Sequence, residues 1–217
     1  MSGAPLRLHG YWRSSASYRV RIALNLKGLA YEQTTYDLRT GAHRSAPYLD
    51  IAPQGLVPAL DTGEGVLTQS TAILEWLEER APSPPLLPAD MQGRAVVRGM
   101  AALIGCDIHP LNNLRVLQAL RSDFGAQPEA VKAWIAQWIQ AGFGGLEELI
   151  AGHGAGFAYG DTPTLADCFL VPQLYAAERF EVDVTAFPHL RAAAERARAL
   201  PAFAAAHPQR QPDADPA

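Results

Sequence analysis

The first forty residues alternate between apolar runs and polar turns in a regular way. Residues 6–10 form a short apolar run that predicts a strand, and a Ser-rich turn follows it. From about residue 16 to 27, Val20, Ala23, Leu24 and the stem of Lys27 recur at helical spacing, with Arg19 and Arg21 off that face. Gly28 supplies a helix stop. Residues 31–36 are β-prone, so the opening reads strand, helix, strand. A short helix is expected over 43–49, turn chemistry at Pro53-Gln54-Gly55, and a strand over 57–60 with Pro58 at its edge or start. A hairpin at 61–65 returns the chain along 66–68. Ser70 then opens a helix whose apolar stripe is Ile73, Leu74 and Leu77.

Residues 81–88, Ala-Pro-Ser-Pro-Pro-Leu-Leu-Pro, cannot continue a helix and form a stiff connection. Beyond it the pattern is helical throughout, over about 94–121 and 129–151, with Pro110 interrupting the first stretch. After a Gly-rich loop at 153–160, Thr164-Leu165-Ala166-Asp167 resembles a capping box and opens a helix to about 180. Pro188 starts a last helix. The division is therefore an α/β domain over 1–82, a Pro-rich linker over 83–89 and an all-helical domain over 90–217, with 207–217 read as a frayed tail.

Charge narrows the function classes. Eighteen Lys and Arg against 22 Asp and Glu leave a net charge of −4, which gives no global field for nucleic acid or an anionic membrane. Any anion site must be built locally. No run is long enough to span a bilayer, so the expected location is the cytoplasm. Cys106 and Cys168 show no metal-ligand spacing, no metal site is expected, and both read as buried small hydrophobes. Trp76, Trp134 and Trp138 read as core.

Two helix starts could hold an anion. Ser14-Ser15-Ala16-Ser17 precedes the first helix and Gln69-Ser70 the third, and free N–H groups, the helix dipole and Ser hydroxyls converge at both. Taken singly, each is an ordinary N-cap. A cis Val57-Pro58 peptide would leave the Val57 N–H and C=O to an extended ligand. Asp167, the third residue of its capping box, reads as a cap and not as a catalytic carboxylate.

The order of these elements is similar to that of the glutathione transferases: a thioredoxin-like α/β domain followed by an all-α domain. Ser14-Ser15-Ala16-Ser17-Tyr18-Arg19-Val20-Arg21-Ile22-Ala23-Leu24 resembles the zeta-class signature. Pro53-Gln54-Gly55-Leu56-Val57-Pro58, Leu67-Thr68-Gln69-Ser70, Gly105-Cys106-Asp107-Ile108-His109-Pro110 and residues 160–167 fit the same class. The resemblance covers about residues 6–203. It departs at Ala16, where the class usually has cysteine, so any role for that thiol is absent here.

The resemblance implies glutathione as cofactor, a homodimer, and cis–trans isomerisation of a small dicarboxylate, maleylpyruvate or maleylacetoacetate, in the breakdown of aromatic compounds. It implies that Ser14 or Ser15 donates to the glutathione sulfur, that Val57 pairs with the cysteinyl backbone, and that Gln69 and Ser70 bind the γ-glutamyl end. It further implies His43, Gln54, His109 and Asn113 around the remaining polar groups. Arg13, Arg115 and Arg179 are the candidates for the substrate's carboxylates, which suit bidentate guanidinium donors. In this reading the helical domain completes the substrate pocket. A general glutathione-conjugating transferase and a non-catalytic binding module are the alternatives the same fold allows.

Overall fold

The computed structural model describes residues 5–216. They divide into two compact units, one running to Pro85 and taking in the segment from Leu200 onward, the other spanning Leu86–Ala199.

In the first unit, β1 (Leu6–Gly10), β2 (Tyr31–Thr35), β3 (Ala59–Asp61) and β4 (Val66–Thr68) form a sheet of order β2-β1-β3-β4. β1 runs parallel to β2, pairing Leu6 with Tyr31, and antiparallel to β3, pairing Leu8 with Leu60. β3 is antiparallel to β4, so β1 and β4 run in the same direction. Hence α1 (Ser15–Leu26), which follows β1, and α3 (Ser70–Arg80), which follows β4, begin at the same edge of the sheet. That edge, beyond the carboxyl ends of strands, is where open α/β sheets bind ligands.

α1 packs on α3 on one side and on α9 (Pro201–Ala206) on another. This double cover changes the reading of α1. Arg19 and Arg21, expected outside the apolar face, are 2% and 1% exposed. α9 closes the side that the periodicity assigned to solvent, and the guanidinium groups find partners inside. Arg21 donates from Nε to Ala206 O at 3.0 Å and from Nη2 to Trp12 O at 2.9 Å. Asn25 donates to Ala202 O at 2.9 Å. The buried Lys27 ammonium meets Glu78 of α3 and donates to the Pro84 carbonyl, which ties the start of the linker to α1.

The expected frayed tail is also different. A 3₁₀ turn at Pro208–Arg210 follows α9, and Gln211 is buried, its amide donating to Ala205 O and His207 O. Polar residues marked the segment as unstructured, but their side chains are consumed in bonds to the first unit. The stretch from Leu200 thus belongs with the α/β elements, although it was expected in the helical domain.

Between β2 and β3 lie a 3₁₀ turn (Ala42–Arg44) and the short α2 (Ala46–Leu49). Tyr48, Ala52 and Ala59 form a small core against Tyr36, Ile51 and Val57. The Val57–Pro58 and Ser83–Pro84 peptides are cis.

The second unit is all helical: α4 (Met91–Ala102), α5 (Leu114–Ser122), α6 (Pro128–His153), α7 (Leu165–Arg179) and α8 (Pro188–Arg198). The helical stretch expected to kink at Pro110 breaks there instead. A π-helical segment over Leu103–Ile108 and a 3₁₀ turn over Pro110–Asn112 separate α4 from α5. Proline lacks the N–H that would continue the ladder, and Asn113 starts a new helix by accepting from Arg115 N at 3.2 Å. Gly142 on α6 allows the π segment in close, since a Cβ there would lie 2.3 Å from Ile108 Cδ1. At the start of α8, Glu147 of α6 accepts from the N–H groups of His189 and Leu190 at 2.9 and 2.8 Å.

The capping box is present. Asp167, fully buried, accepts from Thr164 N and Ala158 N, both at 2.8 Å, and from Thr164 Oγ1 at 3.0 Å. Burial nevertheless pushes its carboxyl up to about 6, because the hydrogen bonds it accepts offset only part of the desolvation. Cys168 is buried as expected, whereas Cys106 in the π segment is exposed. Trp76, Trp134 and Trp138 are half-buried and not core. Trp134 packs edge-on against Trp138 and donates to Leu111 O at 2.9 Å.

Candidate functional site

The edge shared by the starts of α1 and α3 collects most of the expected residues of the first unit. Ser14 is the N-cap of α1, and its Oγ accepts from Ser17 N at 3.2 Å. An oxygen that accepts this bond keeps its own proton to donate elsewhere. Ser15 is buried in the first turn. Ser17, wholly buried, accepts from Tyr11 N at 3.4 Å and holds the turn against the end of β1. Arg13, half-exposed on the same turn, lies over the Trp12 ring at 5.4 Å.

At α3, Gln69 occupies the N-cap position with φ 68°, a left-handed backbone that costs a non-glycine residue on the order of 1–3 kcal/mol. Such strain gathers at ligand sites. Its side chain donates to Gln54 Oε1 at 2.7 Å, so the two expected glutamines are joined directly. Ser70 is buried, and its Oγ accepts from Arg19 Nη1 at 3.2 Å. Arg19 was not among the expected site residues. A charged residue set directly between Tyr18 and Val20, in a helix that continues Ile22-Ala23-Leu24, was the available signal. With it, a fixed cation stands directly behind the start of α3.

Val57 makes no backbone hydrogen bond among the described residues, although β3 begins two residues later. His43 is 7% exposed, and its Nδ1 has no hydrogen-bond partner among the described residues. Burial, with the Arg44 charge adding to it, holds its imidazole below the ordinary histidine range. The His43 carbonyl borders Gly55, which places this histidine under the Gln54-Gly55 turn.

The remaining candidates lie in the second unit. His109 ends the π segment, its N–H donating to Ile104 O at 2.9 Å. The Asn113 side chain is engaged in capping α5. Its neighbour Asn112 has a buried amide with no hydrogen-bond partner among the described residues, which the sequence did not single out. Arg115 is exposed in the first turn of α5. Arg179, in the last turn of α7, stacks over Phe180 at 4.2 Å. It lines a surface cavity of ≈ 260 Å³ with Arg121, Lys132 and Ile135. Among the described residues no group of three His, Cys, Asp or Glu could hold a metal ion. Among the described residues no helix is long and apolar enough to cross a membrane.

Comparison with known proteins gives the family and the fold. The family model for the glutathione S-transferase N-terminal domain matches residues 13–80, and that for the C-terminal domain matches residues 128–209. The chain belongs to the glutathione S-transferase family. Within it the chain falls in the zeta class, as the Ser-rich turn suggested. It is 52% identical to a maleylacetoacetate isomerase of Pseudomonas aeruginosa, over 96% of this chain and 98% of that protein. A holo structure of maleylpyruvate isomerase, a bacterial zeta-class member, superposes with a TM-score of 0.95 at 51% identity, covering 96% of this chain and all of the other. A maleylacetoacetate isomerase from Anaeromyxobacter dehalogenans, solved with glutathione in its active site, gives 0.90 at 45% identity, covering 99% and 100%.

Proposed function

We propose that the chain is a glutathione-dependent cis–trans isomerase acting on maleylpyruvate or maleylacetoacetate, working as a cytoplasmic homodimer. The observation that carries this reading is the pair of helix N-termini at one sheet edge, each with a serine hydroxyl, one backed by the Arg19 guanidinium. A tripeptide with an anionic sulfur on its middle residue and a carboxylate at its γ-glutamyl end fits such a pair.

Ser14 donates toward the sulfur from the cap of α1, and the backbone N–H groups of the first turn, Ser15 included, add positive potential. A free thiol titrates at roughly 8.5, so holding it as thiolate at neutral pH takes about 3 kcal/mol of differential stabilisation. One charge-assisted hydrogen bond plus a helix N-terminus supplies that amount. Val57 offers both backbone groups to the cysteinyl residue. Gln69, Ser70 and Gln54 hold the γ-glutamyl end, and His43, His109 and Asn113 the other polar groups. Glutathione, when bound, supplies a sulfur that adds reversibly to the cis double bond and departs after rotation. The cations assigned to the substrate's carboxylates and to the charge that develops next to them are Arg13, Arg115 and Arg179.

The test is conversion of maleylpyruvate to fumarylpyruvate with and without glutathione, with free thiol followed in parallel. Conversion that needs glutathione and consumes none supports the isomerase. Thiol loss without the trans product would replace it by a conjugating transferase. If neither occurs, the same pair of measurements on maleylacetoacetate decides.

A further inference from the structure

The last residues of the chain are bonded to the turn that carries Arg13, Ser14 and Ser15. Trp12 N–H donates to Asp213 Oδ2 at 3.0 Å, across 201 positions of sequence. On the other side of the same backbone, Arg21 donates to Trp12 O at 2.9 Å and to Tyr11 O at 3.5 Å, and its Nε holds Ala206 O at 3.0 Å. The Tyr11-Trp12 backbone is therefore held through its N–H by the C-terminal segment and through its carbonyls by a buried guanidinium. That guanidinium also grips α9.

The segment is pinned on both sides of Asp213. Before it, Gln211 accepts from Gln33 Nε2 of β2 at 3.0 Å, and His207 meets the Tyr18 ring edge-on. After it, Asp215 pairs with Arg39 at 2.7 Å, and Arg39 pairs with Asp37. Asp213 Oδ1 is buried with no hydrogen bond among the described residues, so the carboxylate's hold on the turn is the single bond to Trp12.

We propose that Asp213 is a positioning residue for the reaction: through Trp12 it fixes the direction in which the chain leaves β1, and so the placement of Arg13 and Ser14. This rests on the roles given to Arg13 and Ser14 in the proposed function. Arg13 is the next residue after the clamped one and Ser14 the second. Small errors in placing catalytic groups cost large factors in rate. Gln69 bonds Gln54 and Ser70 bonds Arg19, neither of them to the Asp213 segment, so the γ-glutamyl contacts stay while the sulfur and substrate contacts move, and glutathione affinity and turnover separate in a variant that lacks the clamp.

The experiment compares Asp213→Ala, Asp213→Asn and Asp213→Glu in the full chain, with maleylpyruvate and glutathione. Asp213→Ala loses the acceptor, and its kcat falls about tenfold while the KM for glutathione stays within about twofold. Asp213→Asn keeps an acceptor for Trp12 N–H and restores kcat to within about twofold of the parent. Asp213→Glu displaces the acceptor by one methylene and falls between, which keeps the test available if the alanine variant does not fold. Amide exchange over residues 11–15 follows the same order. Wild-type kcat in Asp213→Ala, or an asparagine variant as impaired as the alanine one, overturns the proposal. An inactive parent enzyme contradicts the proposed function instead. In that event unchanged amide exchange in Asp213→Ala overturns the clamp, and faster exchange supports it.

Discussion

Arg19 of α1 donates from Nη1 to the hydroxyl of Ser70, the first residue of α3, at 3.2 Å, and both side chains are buried. The bond sets the direction of the serine proton. A hydroxyl that accepts from a guanidinium turns its own hydrogen away from it, toward whatever lies beyond the helix N-terminus. The buried cation adds to the positive potential of the helix dipole at the same point. The two effects together make this end of α3 a stronger carboxylate site than an ordinary Ser cap.

Replacing Arg19 by glutamine should therefore raise the KM for glutathione by roughly tenfold, about 1.4 kcal/mol, with kcat at saturation changed much less. Saturation kinetics in glutathione at fixed dicarboxylate check this. An unchanged KM removes Arg19 from the account.

Ser14 caps α1 and is proposed to donate to the glutathione sulfur, and the two roles separate by measurement. Ser14→Ala removes the cap bond to Ser17 N and should cost about 1 kcal/mol of stability in a denaturant melt. It also removes the hydroxyl proposed to donate to the sulfur, so kcat should fall on the order of 100-fold and the bound thiol should titrate at higher pH. A loss of stability without a shift in the thiol titration would assign the sulfur to another donor.

Arg13→Ala and Arg115→Ala should each lower kcat/KM for the dicarboxylate by roughly 10- to 100-fold, the loss of one charge-assisted contact, and leave glutathione binding intact. Steady-state rates at saturating glutathione measure it. Unchanged turnover in both variants would remove the two arginines from substrate binding.

Asp167 gives a pH test of stability. Its carboxyl titrates at about 6 in the folded chain, against 3.8 for the ordinary group. Between these values the unfolded chain has released the proton that the folded chain keeps. Stability from this group therefore falls as pH rises through the window, by about 3 kcal/mol in all. Asp167→Asn cannot titrate, so its deficit relative to the parent should be largest near pH 4 and smaller at pH 7. Urea melts at the two pH values read the difference. A deficit that grows with pH would reverse the sign.

The sequence displays the sheet, the two serine-bearing helix starts and the capping box because those features are local. Hydrophobic period, serine caps and turn residues act within a few positions. Arg19 and Arg21 were misplaced because their burial depends on α3 and on α9, the latter about 180 residues away. Periodicity in one helix cannot report a second layer that covers its polar side. For the same reason the segment around Asp213 looked like a loose tail. Its prolines and polar groups are what a disordered end contains, and only the bonds to Trp12, Gln33 and Arg39 show that it is structured. Likewise Pro110 announced a disturbance, but the π segment before it depends on Gly142 across the helix pair.

The central claim is that the glutathione sulfur is returned after each turnover. It is tested most directly by supplying glutathione far below the concentration of maleylpyruvate and following fumarylpyruvate to completion. The account requires full conversion, many turnovers per glutathione, and a free-thiol level that is the same at the end as at the start. Product that stops at one equivalent of glutathione, with the thiol consumed, would contradict it.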